Sequence, residues 1–217
     1  MNYFMNANKL YQLYLQLYKK HGDPVNLWPQ WCAKKKDDVL REIIAIGAIL
    51  TQRTGWRNAN LALKNLKRES LLSLNKITTL ANLKKLAELI RPAGFYKTKP
   101  KRLFTFASFS VKEYESLKDF GREDLETARN KLLDLYGIGP ETADTILLYA
   151  LDKPTFIIDE YTRRFVKQRK LSQNLGYDNL KQFFEQNLPK DVIIFQNFHV
   201  LIIVEQKGIK HSLMEVV

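Results

Sequence analysis

LLDLYGIGPETADTILLYA, residues 132–150, places a Gly-Ile-Gly turn between two apolar helical segments, and its reading decides the fold. An apolar helix runs to Leu135, and Pro140 takes the first position of the next helix. There its fixed φ suits the helix, and its missing N–H would have no helical partner anyway. Gly137 and Gly139 lack Cβ, so both are expected to allow positive φ and a close backbone approach to a ligand. Ile138 is expected to anchor the turn between the helices. Amides at a helix start lack partners within the helix and suit an anion such as phosphate. The continuation ILLYAL (146–151) is apolar all round and should be buried on every side.

Away from this stretch the hydrophobic period stays helical. Leu10, Leu13, Tyr14 and Leu17 recur at i, i+3, i+4 and i+7, on one stripe. Val39, Ile43, Ile46 and Leu50 repeat the pattern. Ile44, Ala48 and Ile49 make the other face apolar too, which predicts a central helix. Leu80, Leu83, Ala87 and Ile90 mark another helix, stopped by Pro92 and Gly94. Leu125, Ala128, Leu132 and Leu135 mark one more. HGDPVNLWPQW (21–31) and RPAGFYKTKPKRL (91–103) read as irregular connectors. No period-two alternation appears, so the expected fold is all-α.

At 217 residues the chain suits one domain or two small lobes, and its 45% apolar content supplies a core. Lys and Arg total 35 against 23 Asp and Glu, a formal net charge of +12. The basic residues come in small groups, such as Lys34–Lys36, Lys64/Lys67/Arg68 and Lys97/Lys99/Lys101/Arg102. That distribution fits a folded surface following a phosphate backbone, although charge alone also fits a merely solvated surface. A single cysteine, Cys32, excludes a disulfide framework and a four-thiolate iron–sulfur cluster. His21, His199 and His211 have no ligand spacing, so no metal site and no cofactor are expected. MNYFMNANKLYQ (1–12) has no targeting pattern, and IIAIGAIL (43–50) is too short to span a bilayer. The expected setting is cytoplasmic, nucleoid-associated in a bacterium, with no membrane partner.

The hairpin string, with Thr142-Ala143 at the right offset, resembles the helix-hairpin-helix motif hhhGhGxxTA. That motif binds DNA backbone without reading sequence. The resemblance implies phosphate binding at Gly137, Ile138, Gly139 and Thr142, and it admits a monovalent cation on the hairpin carbonyls. Downstream, a Lys153-Pro154 break leads into TFIIDEYTRRF (155–165). This layout is similar to the endonuclease III branch of the helix-hairpin-helix (HhH-GPD) DNA glycosylases. GAILTQRTGW (47–56), GFYKTKPKRL (94–103) and FQNFHVLIIVEQKG (195–208) extend the similarity through most of the chain.

The resemblance implies that Asp159 is catalytic. Breaking an N-glycosidic bond builds positive charge on the sugar, which a carboxylate stabilises while orienting or deprotonating water. Taken alone, Asp159 reads as the N-cap of a helix over Glu160–Gln168, and the two roles are compatible. Members that also cut the strand carry a lysine in the hairpin helix, where its amine forms a Schiff base with the sugar. Glu141 stands at that position here and cannot, which implies a monofunctional enzyme. IKHSLMEVV (209–217) carries none of the cysteines of the cluster-bearing members.

The segments around Trp28-Pro29, Gln52 to Trp56 and the hairpin are most similar to the 3-methyladenine DNA glycosylase III type. A flipped base is held by stacking, so Trp56, Trp28 and Tyr136 are candidates for its pocket. Core packing is the commoner fate of a tryptophan. Gln52 is a candidate for filling the gap left in the duplex, and Phe95 for wedging the opposite strand. The resemblance implies two lobes with the active-site cleft between them, residues 39–151 and residues 1–38 plus 152–217. Asp159 is expected where they meet, facing Glu141. The expected partner is double-stranded DNA containing a damaged base, bound by a monomer. The alternatives are a glycosylase/AP lyase acting on oxidised bases and an inactive helix-hairpin-helix DNA-binding protein.

A surface that displaces counterions from phosphates loses affinity as salt rises. Duplex affinity followed by fluorescence anisotropy is expected to fall on the order of a thousandfold between about 50 and 200 mM salt. Flat binding would contradict a phosphate-tracking surface.

Overall fold

The computed structural model describes residues 7–208; MNYFMN (1–6) and IKHSLMEVV (209–217), with His211, lie outside the described residues. The described chain is all-α, with no strand among those residues. In order come α1 (Ala7–His21), α2 (Pro24–Leu27), α3 (Asp38–Leu50), α4 (Trp56–Arg68), α5 (Leu74–Thr78) and α6 (Lys84–Leu89). A 3-10 turn (Arg91–Ala93) precedes α7 (Lys99–Glu113), α8 (Leu117–Phe120), α9 (Leu125–Leu133) and α10 (Pro140–Thr145). A π-helical turn (Ile146–Ala150) extends α10, and α11 (Glu160–Gln168), α12 (Tyr177–Asn187) and α13 (Val192–Lys207) follow. The chain forms two compact units, a central one of residues 35–151 and a terminal one of 7–34 with 152–208.

The central unit is organised on α3. Asp37 caps it, accepting the Leu40 amide at 2.8 Å, and its second half, Ile44 through Leu50, is buried without interruption. The π-helical turn, α4, α7, α8 and α10 pack around it. Ile44, Ile46, Ile49 and Leu50 are each fully covered, worth about 1.5–3 kcal/mol apiece relative to exposure. Val39, placed by its spacing on the inward stripe, is instead 64% exposed. It sits in the first turn beside the Asp37 cap, before the helix reaches the core.

The helix expected over 80–90 begins only at Lys84. The Asn82 side chain accepts the Lys84 amide at 3.0 Å and starts the helix there, which leaves Leu80 and Leu83 ahead of it. The inward residues become Leu86, Leu89 and Ile90. The two expected connectors are also more regular than their Pro and Gly content suggests. The first contains α2, whose N-cap Asp23 accepts from Val25 N, and α7 takes up the end of the second.

ILLYAL is buried throughout, as its composition predicts. Lys99, at the start of α7, is fully buried, and its Nζ donates to Leu50 O and Ala93 O, both at 2.7 Å. It ties the end of α3 to the turn before α7. Burial, aided by the nearby Arg102 charge, lowers its ammonium to about 8. Arg129 of α9 grips the fully buried Asp144 of α10 with two hydrogen bonds, at 2.8 and 3.3 Å. That pair fixes the two hairpin helices to each other.

The terminal unit is built on α13, whose residues Phe195 to Val204 are all buried. α1, α2 and α11 pack against it. At its end Glu205 accepts from Lys20 (2.7 Å), His21 (2.7 Å) and Arg169 (3.1 Å), joining the ends of α1, α11 and α13. Burial pushes the Glu205 carboxyl up, but the hydrogen bonds from Lys20, His21 and Arg169 outweigh it and hold the group at about 2.

Because the folded value lies below the ordinary glutamate value of 4.5, the stability Glu205 contributes is complete above that pH and lost as pH falls toward about 2. Glu205→Gln is therefore expected to melt several degrees below wild type at neutral pH. The difference should shrink as pH falls from about 4.5 toward about 2, as read by thermal denaturation.

Candidate active site

The candidate site residues fall into two groups, one in each unit. In the central unit the turn between α9 and α10 exposes Gly137, Gly139, Pro140 and Glu141, while Ile138 is buried as the turn's anchor. The first backbone bond of α10 runs from Ala143 N to Gly139 O at 2.9 Å, so the amides ahead of it lie outside the helical ladder. Gly137 adopts φ +76°, as expected for the turn. Gly139 does not; its φ of −97° is open to any residue, and a Cβ there would meet nothing within 4 Å. Neither the backbone conformation nor the surroundings within the chain require glycine there.

Gln52 braces this turn from the segment after α3. Its Nε2 donates to Gly137 O (2.9 Å) and to Thr142 Oγ1 (3.0 Å), while its Oε1 accepts from Arg102 Nη1 at 2.6 Å. The Arg102 stem lies against Gly137, where a Cβ would come within 2.5 Å of Nε. Thr142 is buried, and its hydroxyl faces this brace. In this arrangement the Gln52 amide holds the hairpin, and filling a gap in DNA would require these bonds to break.

The same unit presents aromatic rings to solvent. Phe95 is 52% exposed at φ +48°, a left-handed backbone rare for a bulky side chain. The buried Lys99 secures the loop beneath it through Ala93 O. Such local strain persists only where the surroundings fix it. Tyr136 is exposed beside the hairpin, with Lys101 Nζ 4.4 Å from its ring centre. Trp56 is half-buried at the first position of α4.

In the terminal unit Trp28 is buried, with its ring stacked on Trp31 at 5.5 Å and 15°. Asp159 follows the irregular segment 152–158 and is the N-cap of α11, as its sequence position suggests. Its Oδ1 accepts the Thr162 amide at 2.7 Å. Its Oδ2 lies 3.5 Å from His199 Nε2 on α13. Burial pushes the carboxyl up, but His199 and the Thr162 bonds outweigh it, so the group is held below the ordinary aspartate value. The arrangement keeps a negative charge in dry surroundings, which is what a developing sugar cation requires.

The segment that delivers Asp159 is itself pinned. Glu185 of α12 accepts from Phe156 N (2.8 Å), Thr155 Oγ1 (3.2 Å) and Lys181 Nζ (2.6 Å). The Phe156 ring stacks on Phe184 at 4.1 Å.

Sequence reasoning missed His199, Lys99 and Arg102. His199 interrupts an apolar run on α13, and a lone buried polar residue in FHVLIIV is the signal that points to it. Lys99 and Arg102 were read only as members of a basic group, because nothing local separates an inward lysine from an outward one.

Residues 46–190 match the family described as the HhH-GPD superfamily base excision DNA repair protein. A Methanocaldococcus jannaschii protein assigned as a DNA repair glycosylase is 42% identical over 205 residues, 92% of this chain and 89% of that one. Endonuclease III of Thermotoga maritima is 26% identical over 164 residues, 73% of this chain and 69% of its own. Among solved structures, H. pylori 3-methyladenine DNA glycosylase (MagIII), bound to 1,N6-ethenoadenine, superposes with a TM-score of 0.76 at 28% identity. It covers 94% of this chain and 99% of its own.

The hairpin glycines are separable by substitution. Gly137→Ala forces a Cβ into the left-handed region and against Arg102, and is expected to lower stability by about 1–3 kcal/mol. Gly139→Ala should melt like wild type yet bind duplex DNA more weakly, because its methyl group stands where a phosphate would approach. Thermal denaturation and anisotropy measured on both variants check this pair of outcomes.

Proposed function

This chain belongs to the HhH-GPD superfamily of base excision DNA repair proteins, and from that premise we propose that this DNA repair glycosylase is monofunctional and hydrolyses alkylated purines such as 3-methyladenine from duplex DNA. The observation that carries the reading is Asp159, a buried carboxyl held ionised by His199 and the start of α11. The likeness to MagIII, through nearly the whole of both chains, supports the choice of base.

A purine alkylated at N3 or N7 carries positive charge and leaves as a neutral base, with no proton donor required. The glycosidic bond breaks with its electron pair going to the base. The sugar becomes cationic at C1′, and the Asp159 carboxylate stabilises it. A water oxygen then bonds to C1′ and gives up a proton to the carboxylate or to solvent, leaving an abasic site in an intact strand. Glu141, at the position of the lyase lysine, offers no amine for an imine.

Gly137 and Gly139 present the turn's backbone to phosphate, Ile138 anchors the turn with its own amide donating to Leu135 O at 3.1 Å, and Thr142 supports it from inside. The hairpin carbonyls are the proposed place for a monovalent cation. Trp56 and Tyr136 supply stacking faces for the everted base, and Trp28, buried and stacked on Trp31, joins them only by giving up part of that packing. Such stacking contributes about 1–3 kcal/mol per base and gains further when the base is cationic. Phe95 is the wedge. Gln52 takes the gap only by leaving its hairpin bonds. The enzyme acts as a monomer, without an iron–sulfur cluster.

Incubation with methylated duplex DNA is expected to release alkylated purines, and Asp159→Asn is expected to slow release at least on the order of a hundredfold. Borohydride added during turnover should trap no protein–DNA adduct. A covalent adduct would contradict the monofunctional assignment, and full activity in Asp159→Asn would contradict the mechanism.

A further inference from the structure

Asp159 has two carboxyl oxygens with different surroundings. Oδ1 is committed to α11, accepting the Thr162 amide at 2.7 Å. Oδ2 faces His199 Nε2 at 3.5 Å. The His199 side chain is 6% exposed and that of Asp159 14% exposed, so water screens the pair poorly. Phe156, from the segment leading to Asp159, stands perpendicular to the imidazole with ring centres 6.5 Å apart. Neighbours on α13 fix its backbone, because Phe195 and Phe198 both pack edge-on against the same Phe156 ring.

We propose that His199 is a positioning residue for base excision, whose Nε2–H holds Oδ2 of Asp159 and thereby sets the plane of the carboxyl group. This inference rests on the reading of Asp159 as the charge that stabilises the sugar cation. The cap bond from Thr162 alone leaves the carboxyl free to rotate about its hydrogen-bonded oxygen. A second donor on the other oxygen removes that freedom. The 3.5 Å separation is long for a hydrogen bond. Catalytic hydrogen bonds are often long without substrate and tighten in the complex, and here a small shift of either side chain closes the gap.

The groups facing the Asp159 carboxyl are the Thr162 amide and hydroxyl from α11 and His199 from α13. Burial opposes ionisation, and His199 makes the largest contribution against it. Removing the ring therefore has two separable effects. The carboxyl loses its fixed plane, and its pKa rises.

The test compares wild type, Asp159→Asn, His199→Ala and His199→Gln in single-turnover release of base from methylated duplex. Rates are taken across pH, together with binding to a duplex containing an abasic-site analogue. His199→Ala is expected to lose at least about tenfold in rate, with analogue affinity close to wild type. The acid limb of its profile should move to higher pH, because Asp159 now protonates sooner. His199→Gln, which fills the space and keeps an N–H donor, is expected to recover most of the rate and return the limb toward wild type.

A purely structural role would reduce the active fraction equally at every pH and leave the limb in place. An unshifted limb in His199→Ala, or a wild-type rate in that variant, overturns the proposal. Equal impairment of the Ala and Gln variants overturns it as well. Absence of release by wild type, or full activity in Asp159→Asn, overturns the reading of Asp159 itself and the His199 proposal with it.

Discussion

A carboxylate removed from water tends to take up a proton, and a protonated carboxyl has no charge to offer a sugar cation. Burial of Asp159 is therefore useful only if something nearby favours the ionised form more strongly than desolvation disfavours it. The start of α11 supplies one such contribution, through the Thr162 amide and the dipole of the helix. His199 supplies the other. On the proposed reading of Asp159, much of the terminal unit supports this balance. Glu185 fixes the segment that carries Asp159, α13 carries the histidine, and the Glu205 hub ties the ends of α1, α11 and α13 together.

On the proposed reading, the central unit meets a different requirement, that of offering backbone to a polyanion. A tight turn with exposed glycines would distort under the pull of a charged ligand unless it were braced. Gln52 and Arg102 hold it from one side, and the Arg129–Asp144 pair locks its two helices. Lys99 does comparable work for the neighbouring aromatic loop, donating to two carbonyls from a fully buried position. In each case a polar side chain stabilises irregular backbone that packing alone would leave ill-defined.

Helical periodicity and the GIGPETAD string were enough to reveal an all-α fold and the hairpin, because both depend on residues close together in sequence. The N-cap at Asp159 was legible for the same reason. Val39 and the Leu80–Leu83 segment show where periodicity fails. An apolar residue in a first helical turn stays outside the core, and an Asn side chain can start a helix later than the hydrophobic repeat suggests. The conformation of Gly139 was also misjudged, since two glycines in one turn look alike until φ is known. His199 pairs with Asp159 across a sequence separation that no local pattern registers. The direction in which Lys99 and Arg102 point is fixed by tertiary packing, so sequence shows only their charge.

Direct titration of the Asp159 carboxyl carbon by NMR, assigned by its absence in Asp159→Asn, tests the central claim without DNA or turnover. The account predicts a midpoint below that of an ordinary aspartate. A midpoint shifted upward, toward neutrality, would mean that desolvation prevails over His199 and the helix start, and would contradict it.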